Sequence, residues 1–257
     1  LAGTGHFEAI VSAAGLATVL FAAFIAIFKH DLKGLLAYST VSHLGLVVFL
    51  IGLGSPLAAV AAVFHVLNHA AFKASLFMIA GIVDHETHSR DMRQLGGLWK
   101  FMPWTATLSM VAAASMAGVP LTNGFLSKEM FFTEAVVGTS GVYAWLVPAL
   151  VTLAGVFSVA YSLRFVHDTY FNGELGDVPN DHPHEPPLGM KLPALLLVTL
   201  CIVVGLLPAL TFGPLVHVAA TALVGQALPD YYLAIWHGFN LPLLMSVIAL
   251  VVGVALY

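Results

Sequence analysis

The sequence predicts an all-α fold, a polytopic transmembrane helical bundle of about seven spans with one discontinuous helix. Three observations carry that expectation. Of 257 residues, 60% are hydrophobic and 9% charged, whereas a soluble domain devotes roughly a quarter of its residues to charge. The apolar residues fall in uncharged runs after Glu8, between Lys33 and Lys73, Lys100 and Lys128, Glu134 and Arg164, and Lys191 and Asp230, and after Asp230. Several of these reach the ~20 residues that a bilayer-crossing helix needs. The basic residues, finally, gather on alternate connections, as a membrane topology requires.

Taken in order, residues 8–28 form the first span and 32–53 the second. Gly54, Ser55 and Pro56 make a tight turn into the third, 57–83. The fourth starts near Pro103, a residue suited to a helix's first turn, and runs to 117. The segment Gly118-Val119-Pro120-Leu121-Thr122-Asn123-Gly124 then intervenes, and helix-like sequence resumes over 125–137. Residues 142–166 and 192–212 give the fifth and sixth spans, and the seventh starts near 235. Residues 214–228 are apolar but short, which fits a surface helix or hairpin. No soluble domain and no short internal repeat interrupts the series.

Charge placement decides how the interrupted fourth segment counts. As one span, it leaves Lys29, Lys33, Arg90, Arg93, Lys100, Arg164 and Lys191 on one side of the membrane. The opposite connections hold no lysine or arginine. Counted as two spans, it would put Arg164 and Lys191 outside. The positive-inside rule favours one broken span, a chain that comes in from outside, and cytoplasmic basic loops in a cell (inner) membrane.

Lys73 and Lys128 escape this pattern, because each lies inside an apolar run. A charge at mid-bilayer costs at least ~2.5–3.5 kcal/mol, so such residues are functional candidates. His65, His69 and Lys73 follow one another at i, i+4 and i+8, which lines one helix face at about 6 Å intervals. Asn68 sits beside them. Stacked titratable groups with water between them suit stepwise proton transfer, since histidine titrates near neutrality and desolvation disfavours a charged amine. The plainer reading has two histidines bonding a neighbouring helix and a lysine reaching an interface, but Lys73 lies too far inside its run for that. Lys128 follows the break, where unpaired backbone is tolerated only against protein or water and where transporters place ion sites. Glu129 and Glu134 follow within two turns as possible partners. The alternative is an interfacial Lys128 on an ordinary helix pair, which the charge count opposes.

Lys33 opens the second span, and His43 lies nearly three turns deeper with Tyr38, Ser39, Thr40 and Ser42 between. That polar stripe reads equally as an access path from inside or as interhelical hydrogen bonding.

Other chemistries find little support. The net charge of −4 has no basic block behind it, so no nucleic acid is expected. His85-Glu86-Thr87-His88 lacks the i, i+4 histidine spacing of zinc proteases. His182-Pro183-His184-Glu185 reads as a solvated linker. Cys201, the single cysteine, reads as packing. With no phosphate loop, dinucleotide fingerprint, haem motif or cysteine cluster, no cofactor, metal site or enzyme activity is expected. The first apolar segment lacks the basic region and cleavage site of a signal peptide. The start at Leu1-Ala2-Gly3 and the stop at Tyr257 within an apolar run suggest a fragment cut at both ends.

The run from Asp31 through Lys33, Tyr38 and His43 to Gly45 resembles the signature of antiporter-like membrane proteins. That superfamily includes proton-pumping subunits of respiratory complex I, membrane-bound hydrogenases and Mrp-type cation/proton antiporters. Phe64-His65 through His69 to Phe72-Lys73, and Gly124-Phe125-Leu126-Ser127-Lys128-Glu129, resemble its next two motifs in order. The stretch from His85 to Asp91 with Leu95-Gly96-Gly97-Leu98, and the stretch from Leu233 through Trp236 and His237 to Asn240, are similar to the A-type component of Mrp antiporters. His43 departs from the pattern, since many relatives have glutamine there.

The resemblance implies that residues 1–230 form the second half of the antiporter-like module and 231–257 the start of an additional C-terminal helix. It implies a proton path through Lys33, His65, His69, Lys73 and Lys128, with His43, Glu129 and Asn68 in possible support. The implied partners are the other subunits of a hetero-oligomeric membrane complex, the lipid bilayer, protons, and Na+ (or K+). The resemblance leaves open a rival, proton pumping driven by redox chemistry in complex I or a membrane-bound hydrogenase. A seven-helix receptor or scaffold would need neither a broken helix nor buried lysines.

Overall fold

The computed structural model describes residues 4–180, 182–236 and 238–257. Leu1, Ala2, Gly3, and His237 of the 233–240 stretch lie outside the described residues. Ten α-helices follow in order among the described residues: α1 (Gly5–Ile27), α2 (Leu32–Gly52), α3 (Pro56–Thr87), α4 (Pro103–Ala117), α5 (Asn123–Val137), α6 (Tyr143–Tyr170), α7 (Leu188–Leu206), α8 (Pro208–Thr211), α9 (Gly213–Val224) and α10 (Leu241–Leu256). No strand occurs among the described residues. The all-α membrane fold expected from composition is the observed one.

Helix starts follow local chemistry. Asp31 accepts from the Gly34 amide at 2.6 Å, Ser55 from Ala58 at 2.9 Å and Asn240 from Leu243 at 2.9 Å, each satisfying an amide that has no intrahelical partner. α3 runs to Thr87 rather than 83, and its helix ends only where His88 turns left-handed at φ 55. α7 stops at Leu206 rather than 212, because Pro208 lies close behind it and disfavours a helical residue before it. The final helix starts at Leu241 rather than near 235, where Asn240 caps it and Pro242 occupies its first turn. The apolar stretch over 214–228 supplies α9, which packs on α3.

Five helices, α1, α2, α3, α6 and α7, are long and apolar enough to cross a membrane. α4 and α5 have 15 residues each, about 22 Å of rise apiece, which is short of a ~30 Å hydrocarbon core. Their positions show how they combine. α4 starts at the charged end of the bundle, where the Thr105 amide and hydroxyl both bond Glu185, at 2.9 and 3.2 Å. Lys191 pairs with Glu185 at 3.0 Å, and at the same end Arg90 meets Asp31 at 3.2 Å and Arg164 meets Asp168 at 3.0 Å. Hydrogen bonds from Arg93 hold the Asp91 carboxyl there below the usual carboxylate range. α5 finishes at the opposite end, where Ser55 donates to Glu134 at 2.9 Å and Glu8 lies against Gly54. The two short helices together traverse the bundle once, as one discontinuous rod.

The 182–185 segment exposes His182 and His184, as a solvated linker does, but it is also tied to the bundle. His184 Nδ1 lies 2.6 Å from Glu86, and Glu185 caps α4. A buried carboxylate at the end of α3 and buried donors at the start of α4 recruit the loop, and nothing in its own sequence announces them.

α1 and α2 pack as a close antiparallel pair through small residues. A Cβ at Gly15 would lie 2.3 Å from the Phe49 amide nitrogen, so only glycine lets the backbones meet. Gly15→Val should therefore destabilise the detergent-solubilised protein by about 1–3 kcal/mol or more, because a backbone wall cannot yield as a side chain does. A thermal-unfolding midpoint equal to wild type would refute the contact.

Candidate functional site

The site forms where α2, α3, α5 and α6 surround the break between α4 and α5. Lys73 stands near the middle of the 32-residue α3 and is 4% exposed; Lys128 is 5% exposed on α5. Neither ammonium finds a carboxylate within ion-pair distance among the described residues. Lys73 donates to Ser39 of α2 and lies 3.0 Å from Met116 Sδ near the end of α4. Lys128 donates to the Ala117 carbonyl at 3.1 Å and lies 5.8 Å from the Phe132 ring centre.

The Lys128 contact explains why the helix is broken. The last four carbonyls of a helix lack intrahelical partners and carry its negative dipole end. Gly118 turns left-handed at φ 76, which stops α4 and aims the Ala117 carbonyl at the ammonium. Leu121 follows at φ 71, a conformation costing about 1–2 kcal/mol in a non-glycine residue. Surrounding contacts hold it: Ser115 bonds Asn123 across the break, and a Cβ on Gly124 would lie 1.8 Å from the Ser115 carbonyl oxygen. Half a helix dipole thus does for Lys128 what a carboxylate does elsewhere. Glu129 lies within electrostatic reach of Lys128 and accepts from Ser246 of α10. Glu134 lies one helical turn further on, bonded to Ser55.

His65 and His69 lie one turn apart as their spacing predicts, with ring centres 6.2 Å apart. His43 of α2 joins them, 5.2 Å from His65 and 5.3 Å from His69. Hydrogen bonds thread the cluster: Tyr161 OH to His43 Nε2 at 3.3 Å, His43 Nδ1 to His65 Nε2 at 3.1 Å, and His65 Nδ1 to Ser127 Oγ at 2.5 Å. Neutral imidazole donates from one nitrogen and accepts at the other, so the chain has two self-consistent polarities. In one, Tyr161 donates and Ser127 Oγ accepts; in the other every bond reverses. Ser127 precedes Lys128 on α5, and His65 and Lys128 line one cavity, so the string ends on the helix that carries the second lysine.

A cavity of about 40 Å³ lies between the histidines and the break, lined by His43, His65, Ser115, Gly118, Lys128 and Tyr161 among others. A water needs about 10–15 Å³ of such space, so two or three fit. The side-chain amide of Asn68 and Nε2 of His69 are buried without a hydrogen-bonding partner among the described residues, a state that calls for water.

Lys33 stands apart from this cluster. It pairs with Asp84 at 2.8 Å at the charged end, with about a third of each side chain exposed. Tyr161, Ser127 and Met116 join the site without being singled out by sequence. Ser127 at least flanks a lysine in a motif, whereas Tyr161 sits in an apolar helix and carries no local signal.

A family model described as NADH:quinone oxidoreductase/Mrp antiporter, transmembrane, matches residues 3–158. A Rhizobium meliloti protein, described as the probable A/B component of a K(+)/H(+) antiporter, is 57% identical over the whole of this chain, which spans 26% of that protein. The A component of an Alkalihalophilus pseudofirmus Na(+)/H(+) antiporter is 39% identical over the whole chain and 35% of that protein. In the solved Mrp complex of a Dietzia species, one chain superimposes with a TM-score of 0.85 at 40% identity, over 97% of this chain and 26% of that one. The chain thus spans about a quarter to a third of the length of the curated relatives it matches.

Gly118→Ala should cost about 1–2 kcal/mol for its left-handed conformation. It should cost more than Gly141→Ala, because Gly118 alone faces Lys128 Cδ, 2.6 Å from a built Cβ, while Gly141 faces open space at φ 61. Equal losses in thermal unfolding would contradict the contact between the break and Lys128.

Proposed function

The chain belongs to the NADH:quinone oxidoreductase/Mrp antiporter transmembrane family, and from that premise we propose that it is the proton-translocating part of a multisubunit monovalent cation/proton antiporter. The observation that carries this reading is the string from Tyr161 through His43 and His65 to Ser127, flanked by Lys73 and Lys128. A hydrogen-bonded string with two polarities moves a proton by reversing its bonds in sequence. The lysines set its ends: each ammonium offers a proton, and each amine, once formed, accepts one. His69 and Asn68 border the string, and their unpartnered atoms support water beside it. Glu129 joins at the outer end, and Lys33 collects or releases protons at the inner surface.

Residues 1–230 are read as the second half of an antiporter-like module and 231–257 as the beginning of an added helix. The module works in a cell membrane with its basic loops in the cytoplasm, among other membrane subunits. Relatives named for K(+)/H(+) and for Na(+)/H(+) exchange support a monovalent cation as the counter-ion. Coupling to redox chemistry is the weaker reading, because these relatives are antiporter components and the superimposing structure at 40% identity is an Mrp complex.

In everted vesicles carrying the full complex, Lys73→Ala and Lys128→Ala should each lower cation/proton exchange by at least about tenfold while the complex still assembles. Wild-type exchange in both variants, with either Na+ or K+, would reject the roles assigned to these residues.

A further inference from the structure

On α2, Lys73 meets Ser39, whose hydroxyl donates to the Leu36 carbonyl at 2.9 Å, and residues 34–37 below it are apolar, so that stripe gives Lys73 no open connection to the charged end of the bundle. The Lys33–Asp84 pair does not supply one. Between Lys73 and Asp84, α3 carries one hydroxyl, Ser75, which is already bonded to the Phe72 carbonyl at 2.8 Å; the rest is apolar. The facing surface of α4 differs. Thr105, Ser109, Ala112 and Met116 recur at i, i+4, i+7 and i+11, which places them on one helix face.

This column starts at a carboxylate and ends at the amine. Thr105 is 1% exposed and bonds Glu185, whose other contact is Lys191. Met116 Sδ lies 3.0 Å from Lys73 Nζ. Between them, Ser109 and Tyr170 of α6 are buried, their hydroxyls close enough to act on each other and in the field of Glu185, yet neither makes a well-formed hydrogen bond among the described residues. Burying such hydroxyls dry costs about 1–3 kcal/mol each. Two of them in one spot, on the α4 face that runs from Thr105 at Glu185 to Met116 at Lys73, are explained if water completes their bonding. From Ser109 to Met116 the rise is about 10 Å, past the small side chain of Ala112.

We infer that Thr105, Ser109 and Tyr170 line the inner leg of the proton path, linking Lys73 to Glu185 at the charged end. One proton leaves the Lys73 ammonium, passes along hydroxyls and water, and protonates the Glu185 carboxylate. That leaves a neutral amine and a carboxylic acid. The acid then releases its proton to bulk water, and a proton arriving from the histidine string restores the ammonium. Lys191 favours that release by stabilising the carboxylate. The leg rests on the proposed antiport reading.

The test uses the complete antiporter in everted vesicles and compares Ser109→Ala/Tyr170→Phe with Lys73→Ala. The inference expects the double variant to lose about tenfold or more of its exchange rate, with Ser109→Thr, which keeps a hydroxyl, near wild type. Its thermal midpoint should be unchanged or raised, since only unpartnered hydroxyls are removed; a merely structural role would leave the rate intact. Full exchange in the double variant with an inactive Lys73→Ala would overturn the leg and leave the wider reading standing. Full exchange in both would sink the wider reading and the leg with it. Should the double variant fail to assemble, Ser109→Cys decides: labelling by a charged methanethiosulfonate added to the exposed inner face supports the leg, and no labelling above parent overturns it.

Discussion

An ammonium group in an apolar interior is the constraint from which most of this structure follows. Each such group costs at least ~2.5–3.5 kcal/mol at bilayer depth, and Lys73 and Lys128 are both almost wholly enclosed. Among the described residues the direct partners of both ammonium groups are dipoles, with the Glu129 carboxylate acting on Lys128 from beyond ion-pair distance. A helix is stopped by Gly118 so that its carbonyl end faces one ammonium, and a serine hydroxyl and a thioether sulfur face the other. Full pairing with a buried carboxylate would stabilise the charge and also trap it. Under the proposed reading, weaker partners leave each lysine able to exchange a proton.

The broken rod is the architectural consequence. Two 15-residue helices replace one continuous span, and the gap between them supplies polar backbone at the depth where the histidines lie. α7 packs against part of that backbone, where a Cβ on Gly205 would lie 2.3 Å from the Leu121 carbonyl oxygen, while the side chains of Pro120 and Leu121 stay exposed; irregular structure inside a membrane requires such cover by protein or water. Charged loops at one end and the Ser55–Glu134 contact at the other fix how the rod is oriented. Packing, electrostatics and the candidate path are thus one arrangement seen at three scales.

How much of this was legible in the sequence depended on whether the signal was local. Lys73 and Lys128 stood out because burial cost is a property of a single position within an apolar run. His65 and His69 stood out because helical spacing is periodic, and the break because glycine and proline punctuate it. The contact of His43 with His65 was not legible, since it depends on how α2 is rotated against α3. Tyr161 was invisible for the same reason, as was the Asp84 partner of Lys33. The anchoring of the 182–185 segment was not legible because its partners, the Glu86 carboxylate and the Thr105 amide and hydroxyl, lie far away in sequence. Helix ends shifted by several residues wherever a cap, rather than hydrophobicity, set the boundary.

The central claim is that water reaches these lysines through the break. A map of the assembled complex fine enough to show ordered water tests it most directly. The structure predicts two or three waters between His65 and Lys128, and others against the Asn68 amide and His69. Continuous apolar packing there, with both ammonium groups dry, would contradict it.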